Sequence, residues 1–201
     1  MAAVMLIGLL AAAQAPARAN FNNCSVPYPD GVSFAMSPLQ SLDALVGGND
    51  VSTENAWTGS SYALLRSRPS LAAVGTWEEY RLWCVDSSNG YYAIQSFSNG
   101  NYVSAEIGWT GNSYGLLRAR AATVGPWEKF RVLQGHVNAP DWLNYDYNVV
   151  AFQSVANGSY VSAELGWTGN QSGLLRARPN QWTEGPWETF YMTWCVISCT
   201  G

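Results

Sequence analysis

A set of short motifs occurs three times along this chain of 201 residues. Each copy contains Val-Ser-(Ala/Thr)-Glu, then Trp-Thr-Gly, then Leu-Leu-Arg-(Ala/Ser)-Arg, and finally Gly-(Pro/Thr)-Trp-Glu. The Trp-Thr-Gly tryptophans are Trp57, Trp109 and Trp167, so successive copies are 52 and 58 residues apart. This period is too long for a helical hairpin and suits a unit of several strands. Because such a unit cannot bury its apolar face alone, we expect the three copies to share one core.

Each copy has the residue pattern of β-strands. In the second copy, residues 102–106 and 116–120 alternate apolar or small residues with polar ones, as half-buried strands do. The segment 108–112 between them has turn chemistry and predicts a hairpin with the tryptophan near its tip. We expect the inward-facing side chains to be Val103, Ala105, Leu117 and Ala119, and the outward-facing ones Ser104, Glu106, Arg118 and Arg120. With one strand before and one after each hairpin, the pattern predicts about four strands per repeat.

Three similar four-strand units around one core favour an all-β fold, a β-trefoil, over a propeller, which usually has at least four blades. We expect the repeats at about 32–84, 90–134 and 148–195, within a single domain over residues 20–201. The segments NYVSAE (101–106) and GPWEKF (125–130) also resemble the fascin-like β-trefoil family, and the similarity extends over roughly 32–194. The resemblance implies a β-trefoil. Fascins proper are intracellular actin bundlers with tandem trefoils, whereas secreted fascin-like modules resemble accessory polysaccharide-binding domains.

The N-terminal segment has the composition of an export signal. Residues 1–19 are mostly apolar and end in Ala17-Arg18-Ala19, a small-x-small cleavage pattern, and the apolar run is too short to span a bilayer. We therefore expect a secreted, extracellular protein without membrane insertion. The chain has 10 basic and 14 acidic residues. This balance argues against a nucleic-acid partner, which would require a basic face.

The cysteines predict disulfides. Cys24, Cys84, Cys195 and Cys199 are an even number in a chain expected to be secreted, and they allow three connectivities. Because the ends of a trefoil chain meet, we expect Cys24 to pair with Cys199 and Cys84 with Cys195. No Cys-x-x-Cys pair occurs, and the single histidine, His136, has no partner, so neither a metal site nor a cofactor is expected.

The acidic residues favour structure over catalysis. A nucleophilic hydrolase needs a base beside its nucleophile, and the single histidine lies outside any Gly-x-Ser-x-Gly context. Six of the 14 acids occupy repeated positions, which are Glu54, Glu106, Glu164 and Glu78, Glu128, Glu188. A position that recurs three times is explained more simply by structure than by one active site. We expect cross-strand ion pairs of roughly 0.2–1 kcal/mol each, namely Glu54–Arg66, Glu106–Arg118 and Glu164–Arg176. No enzymatic activity is predicted.

The repeated tryptophans form two classes. Trp77, Trp127 and Trp187 precede an aromatic residue at a strand entrance, which indicates a core position that plugs one end of the fold. The Trp-Thr-Gly tryptophans lie in hairpin tips, where an indole either packs on a neighbouring hairpin or meets a ligand. Sugars stack a CH face on indole and hydrogen-bond to amides, so we predict a saccharide site. Its predicted residues at the hairpin tips are Trp57, Trp109, Trp167, Asn112, Asn170, Tyr62 and Tyr114.

The segment 135–148 is the largest asymmetry between the repeats. Its Trp142 and Tyr145 alternate with acidic and amide residues, a mixture typical of recognition loops, although the loop could equally fold over one end of the domain. We include both aromatics among the predicted ligand-binding residues. The sequence favours a secreted, non-catalytic, lectin-like module that binds a saccharide or polysaccharide. The alternatives are an adaptor that binds another secreted protein and a trefoil protease inhibitor.

Overall fold

The computed structural model describes residues 24, 30–39, 49–69, 74–134, 148–178 and 181–195. The described residues form twelve strands, four in each repeat. The first repeat contains β1 (Val32–Pro38), β2 (Asn49–Thr53), β3 (Leu65–Pro69) and β4 (Tyr80–Asp86). The second contains β5 (Tyr91–Ser96), β6 (Tyr102–Ala105), β7 (Leu117–Ala121) and β8 (Phe130–Gln134). The third contains β9 (Val149–Ser154), β10 (Val161–Ala163), β11 (Leu175–Ala177) and β12 (Thr189–Cys195). Short 3₁₀ helices lie at Gly59–Ser61, Gly111–Ser113, Pro126–Glu128 and Gly169–Gln171.

The first and last strands of the three repeats form a closed ring. Hydrogen bonds connect the strands in the order β4-β1-β12-β9-β8-β5, and β5 pairs again with β4. All of these pairings are antiparallel. The two middle strands of each repeat form a hairpin, β2–β3, β6–β7 or β10–β11. This arrangement of a six-stranded ring and three hairpins is a β-trefoil, so the predicted fold is confirmed.

The core is filled by matching side chains from the three repeats. Val51, Val103 and Val161 lie at the same position of the three hairpins, and all are fully buried. The predicted inward-facing residues of the second hairpin are buried as well. The predicted outward orientation is wrong for Ser104 and Glu106, which are also buried. The segment after β7 covers that face of the hairpin, where the Ser104 hydroxyl donates a 2.5 Å hydrogen bond to Glu128.

The disulfide connectivity differs from the expected one. Cys24 is bonded to Cys84, across a sequence separation of 60 residues. The reason is that β1 lies between β4 and β12, so the segment before β1 is close to the end of both strands. The first and last strands, β1 and β12, do pair, but Cys24 is bonded on the β4 side. Cys195 is also disulfide-bonded, and Cys199 lies outside the described residues.

Several predictions from the sequence concern residues outside the described part of the chain. These are the signal segment 1–19, most of the segment 135–148, and with it the predicted ligand-binding residues Trp142 and Tyr145. Within the described ranges, the helices are all too short to cross a membrane. The same ranges contain no group of three or more His, Cys, Asp or Glu side chains that could hold a metal ion.

Candidate functional site: the hairpin tips

The three Trp-Thr-Gly loops meet at one end of the trefoil. Leu64, Leu116 and Leu174 follow these loops and form a buried cluster of their own, which we call the leucine hub. Trp57 and Trp109 pack against this hub and are half-buried. Each loop closes with a short 3₁₀ helix that begins at the glycine of Trp-Thr-Gly. The tips of all three repeats therefore share one apolar centre, which lies on the pseudo-threefold axis.

Arginines connect each tip to the tip of a neighbouring repeat. Arg118 of the second repeat donates from Nε to the Tyr62 carbonyl of the first repeat at 2.6 Å. Arg66 of the first repeat donates from Nε to the Ser172 carbonyl of the third at 2.8 Å. Arg176 of the third repeat reaches the second, with Nη1 3.4 Å from the Asn112 carbonyl. These contacts run once around the axis, so each hairpin tip is held in place by the next.

The backbone repeats the same cyclic connection. Three inter-repeat hydrogen bonds of 2.7–2.9 Å join Ala119 N–H to the Ala63 carbonyl, Ser67 N–H to the Gly173 carbonyl, and Ala177 N–H to the Gly115 carbonyl. The accepting residues all have positive φ, which is 60° at Ala63 and 75° at Gly115. A methyl group on Gly115 would lie 2.3 Å from the Ala177 carbonyl oxygen. Glycine is therefore required at this close approach, and the first repeat accommodates alanine at an equivalent left-handed position.

The same arginines cover the rings of the tip tryptophans. The guanidinium carbon of Arg66 lies 5.7 Å from the Trp57 ring centroid, that of Arg118 lies 5.9 Å from Trp109, and that of Arg176 lies 4.8 Å from Trp167. These separations are within the range of cation–π contacts. All three indoles are half-buried and rigidly placed. The part of each indole that the arginine and the protein do not cover is accessible to solvent.

The rim around these tryptophans is polar and exposed. Asn112 and Asn170 are exposed on the 3₁₀ helices, whereas Tyr62 and Tyr114 are half-buried. The first repeat has Ser60 at the position of the two asparagines, and the third has Ser172 at the position of the two tyrosines. The structure thus gathers the predicted residues of the hairpin tips at one end of the molecule, around the leucine hub.

The repeated glutamates do not face this rim. The predicted pairing of Glu106 with Arg118 is wrong, since Glu106 is buried and binds Arg120 through both carboxylate oxygens. In the first repeat the partner of Glu54 is likewise Arg68 rather than Arg66, with 3.8 Å between the charged atoms. The reason is that the first arginine of the Leu-Leu-Arg-(Ala/Ser)-Arg motif donates hydrogen bonds to carbonyls of the neighbouring repeat.

The third repeat is the exception to this pattern. Glu164 accepts hydrogen bonds from both Arg176, at 2.8 Å, and Arg178, at 2.5 Å, so the predicted Glu164–Arg176 pair is confirmed. In the first repeat, by contrast, burial raises the pKa of Glu54, and Arg68 and Arg66 only partly oppose this effect. Burial also raises the pKa of Glu188 in the third repeat, and the charge of Arg178 only partly opposes this effect. The repeated carboxylates therefore lie in buried clusters with arginine.

The Trp-Glu tryptophans are not in the core. Trp77 and Trp127 are half-buried, and Trp187 is 40% exposed, so the prediction that this class plugs one end of the fold is wrong. The rings of Trp127 and Trp187 instead lie over the loop that precedes the tip tryptophan of their repeat. A methyl group on Gly108 would come within 2.9 Å of the Trp127 ring, and one on Gly166 within 4.0 Å of Trp187. The adjacent glutamate, not the tryptophan, is the residue of this motif that turns inward.

One exposed aromatic residue was missed in the sequence. Trp182 is 60% exposed, more than any other large hydrophobic residue that the structure describes. It precedes the third Gly-Pro-Trp-Glu block, and the first and second repeats have no tryptophan in the corresponding segments. A tryptophan that breaks the repeat pattern is not required by the shared core, and this difference could have identified it.

The chain matches no protein-family model and no curated protein sequence. Among solved structures it is similar to ThreeFoil, a designed 3-fold symmetric protein, with a TM-score of 0.56, 14% identity, and coverage of 80% of this chain and 97% of that one. The chain is a β-trefoil. It is also similar to the ricin B-like lectin of Macrolepiota procera in complex with lactose, with a TM-score of 0.52, 12% identity, and coverage of 82% and 96%.

A third similar structure is part of an enzyme. The exo-β-1,3-galactanase 1,3Gal43A of Clostridium thermocellum matches with a TM-score of 0.57 and 13% identity over 83% of this chain. The match spans 31% of the galactanase. At these levels of identity the likeness shows the fold and not the ligand.

Proposed function

We propose that this protein is a non-catalytic, carbohydrate-binding β-trefoil that uses the hairpin-tip face. The observation that carries the proposal is the placement of Trp57, Trp109 and Trp167 around one axis, each beside an exposed Thr-Gly step. An indole provides a flat apolar surface for the CH face of a sugar ring. The exposed amides of Asn112 and Asn170 provide directional hydrogen bonds for its hydroxyls.

The rigidity of the tips supports this role. The arginines and the backbone hydrogen bonds fix each loop against the neighbouring repeat before any ligand arrives. A preorganised site does not lose conformational freedom on binding, which favours affinity for a small polar ligand. The lactose complex of a similarly folded lectin is consistent with the proposal.

The three sites are expected to differ in strength. The second repeat has both Asn112 and Tyr114, whereas the first repeat has Ser60 in place of the asparagine and the third has Ser172 in place of the tyrosine. We expect the second repeat to bind most tightly and the first to bind least. A glycan with several copies of the sugar would then gain avidity by contacting more than one tip.

The buried carboxylates support a non-catalytic role. A glycosidase needs two carboxyl groups that reach the scissile bond. The six repeated glutamates are the strongest candidates in the sequence. Glu54, Glu106 and Glu164 are buried, as are Glu128 and Glu188, and each of the first three is paired with arginine. They hold the hairpins in place and do not border the hairpin-tip rim.

We also propose that the protein works outside the cytosol. The Cys24–Cys84 disulfide joins the segment before β1 to β4, and stable disulfides of this kind form in oxidising compartments. This location is where glycans of cell surfaces and extracellular polysaccharides are found. Residues 1–19 are the segment that we expect to direct export.

A glycan array followed by titration tests the function. We would probe the purified protein and the Asn112→Ala/Asn170→Ala double variant, because both side chains are exposed and their removal should leave the fold intact. Binding should be lost or weakened at least about tenfold in the variant, as expected for loss of hydrogen bonds to a polar ligand. The control is Trp83→Ala, a half-buried tryptophan on β4 outside the tips. Unchanged binding by the double variant, with Trp109→Phe also unchanged, would exclude the hairpin-tip site.

A further inference from the structure

The third repeat has an exposed indole that the trefoil itself does not require. Trp182 lies in the connection between β11 and β12, where six residues separate Arg178 from Gly185, against four between Arg120 and Gly125 in the second repeat. The first repeat has a connection of the same length as the third, but without an aromatic residue. Because Trp182 is 60% exposed, packing in the core does not explain why a tryptophan occupies this position.

The indole of Trp182 is nevertheless held in a defined place. Its ring lies over the Asn157–Gly158 turn, where a methyl group on Gly158 would be 3.3 Å from the ring. Gly158 has a φ of 70°, so the turn itself favours glycine. The residue before the tryptophan, Gln181, accepts a hydrogen bond from Tyr160 N–H at 3.0 Å and donates its own N–H to the Arg178 carbonyl at 3.2 Å. These contacts at Gln181 and Gly158 hold the ring so that its free surface faces solvent.

The residues next to Trp182 in the chain, and Tyr160 bonded to them, are polar. Thr183 is exposed, and Gln181 and Tyr160 are half-buried. The Gln181 amide nitrogen donates to the Thr183 carbonyl, so the side chain folds back along the loop. Glu184 is close enough to Tyr160 for its charge to raise the pKa of the phenol, in addition to the larger effect of burial. An exposed aromatic plane with hydroxyl and amide groups on the neighbouring residues matches the amphipathic faces of a sugar ring.

A second exposed indole lies on the same loop. Trp187 is 40% exposed and its ring is next to Gly166, whereas the ring of Trp182 is next to Gly158. These two glycines are on opposite sides of β10 in the chain, so the two indoles flank one short strand. The loop between them spans at most roughly 18 Å when fully extended. Within this limit, several linked sugar units can contact both rings, whereas one terminal sugar contacts a single ring.

We propose that Trp182 and Trp187 form a second saccharide site in the third repeat, for an internal stretch of an extended polysaccharide chain. The inference relies on the proposed function for the class of ligand. Trp182 lies over the Asn157–Gly158 turn, away from the hairpin tips, whereas Trp187 borders the loop of the third tip at Gly166. A protein partner fits less well, because stable protein interfaces need about 1,000 Å² or more with a contiguous apolar centre. Among the described residues, Phe97 is the only large exposed hydrophobic side chain besides these two.

Fluorine NMR of protein labelled with 5-fluorotryptophan tests the site directly. The chain has ten tryptophans, and single Trp→Phe variants assign the resonances of Trp182, Trp187 and Trp109. The probes are cellohexaose, chitohexaose and oligomers of β-1,3-galactan, each compared with its own disaccharide. We expect one hexamer to shift the Trp182 and Trp187 signals, with the disaccharide binding at least about tenfold more weakly.

Substitution then measures the contribution of each ring. Trp182→Ala should weaken hexamer binding about tenfold, because covering one face of an indole removes apolar surface from water. Trp182→Tyr should retain most of the affinity, and Phe97→Ala is the matched control for an exposed aromatic elsewhere. Equal affinity for disaccharide and hexamer, or full affinity in Trp182→Ala, would overturn the proposal.

The same spectra separate this inference from the proposed function. Shifts at Trp109 with none at Trp182 and Trp187 would support the hairpin-tip site and refute the second one. Shifts at Trp182 and Trp187 with none at Trp57, Trp109 and Trp167, assigned by the same Trp→Phe series, would refute the hairpin-tip site and support the second one. If no probe on the array or in the NMR series shifts any tryptophan signal, both proposals are wrong.

Discussion

The three equivalent glutamates of the hairpins provide an internal comparison of buried ion pairs. Glu54, Glu106 and Glu164 occupy the same position in their repeats, and all are buried. Their arginine contacts differ. Glu164 has hydrogen bonds from two arginines, Glu106 has a bidentate pair with one, and Glu54 is 3.8 Å from its closest arginine nitrogen. Replacing each glutamate with glutamine removes the charge and keeps the shape.

The expected cost follows the number of charge-assisted hydrogen bonds. Breaking a buried pair by neutralising one partner typically costs 3–5 kcal/mol, but an arginine that is partly exposed recovers some hydration. Arg178 is 38% exposed at its side chain and Arg176 is 11% exposed, which places Glu164→Gln at about 3 kcal/mol. Glu106→Gln loses one bidentate pair and should cost about 2 kcal/mol. Glu54→Gln should cost less than about 1 kcal/mol at pH 7.

Glu54 should also show a distinct dependence on pH. Burial raises its folded-state pKa above the ordinary 4.5. Its contribution to stability is therefore complete below pH 4.5 and is lost as the pH rises through the raised pKa. The difference in stability between wild type and Glu54→Gln should consequently shrink as the pH rises above 4.5.

Urea unfolding of the wild type and the three variants measures these differences, with an unchanged m-value as the check that the unfolded states are comparable. Repeating the titrations in 1 M salt should leave the order unchanged, because buried pairs are poorly screened. Equal costs at the three positions, or the largest cost at Glu54, would refute the explanation based on arginine contacts.

Other predictions concern the backbone, the disulfide and pH. Ala63→Gly should raise the free energy of unfolding by about 0.5 kcal/mol, since relief of left-handed strain outweighs the lost methyl burial. Gly115→Ala should lower the free energy of unfolding by more than about 2 kcal/mol, because the added methyl group meets a backbone oxygen. Changes of the opposite sign in urea titrations would contradict the predictions for Ala63→Gly and Gly115→Ala. Removing the Cys24–Cys84 bond should cost about 4 kcal/mol for its loop of 60 residues, measured by thermal unfolding, and an unshifted midpoint would exclude this role. Glu188→Gln should flatten the loss of stability above pH 4.5, because burial raises the Glu188 pKa and its stabilising contribution is lost as the pH rises through that raised pKa. Parallel pH curves would contradict this.

The fold could be predicted because the repeat and the strand pattern carry independent information. The threefold recurrence requires a shared core, and the alternation at residues such as Val103, Ala105 and Leu117 specifies which face of each hairpin enters it. Both signals are local in the sequence. The other face of the hairpin could not be predicted, because Ser104 is covered by a segment more than twenty residues later in the chain.

The partners of the arginines depend on contacts between repeats, which no single repeat contains. Within one hairpin, Arg118 and Arg120 are both plausible partners for Glu106. The choice is decided by the neighbouring repeat, where the Tyr62 and Gly59 carbonyls accept hydrogen bonds from Arg118. The disulfide was mispredicted for a similar reason. The order of strands around the ring, with β1 between β4 and β12, decides which cysteine Cys24 can reach.

Repetition and exposure together separate residues that maintain this fold from residues that remain available to a ligand. Most repeated polar side chains are engaged inside the molecule, as Glu106 and Arg118 are, because they hold each hairpin to its own repeat or to the next one. Exposed residues that differ between copies have no such structural requirement. Asn112, which is serine in the first repeat, and Trp182, which has no aromatic counterpart, meet both conditions. A search for function in a threefold repeat should therefore begin at the exposed positions where the three copies disagree.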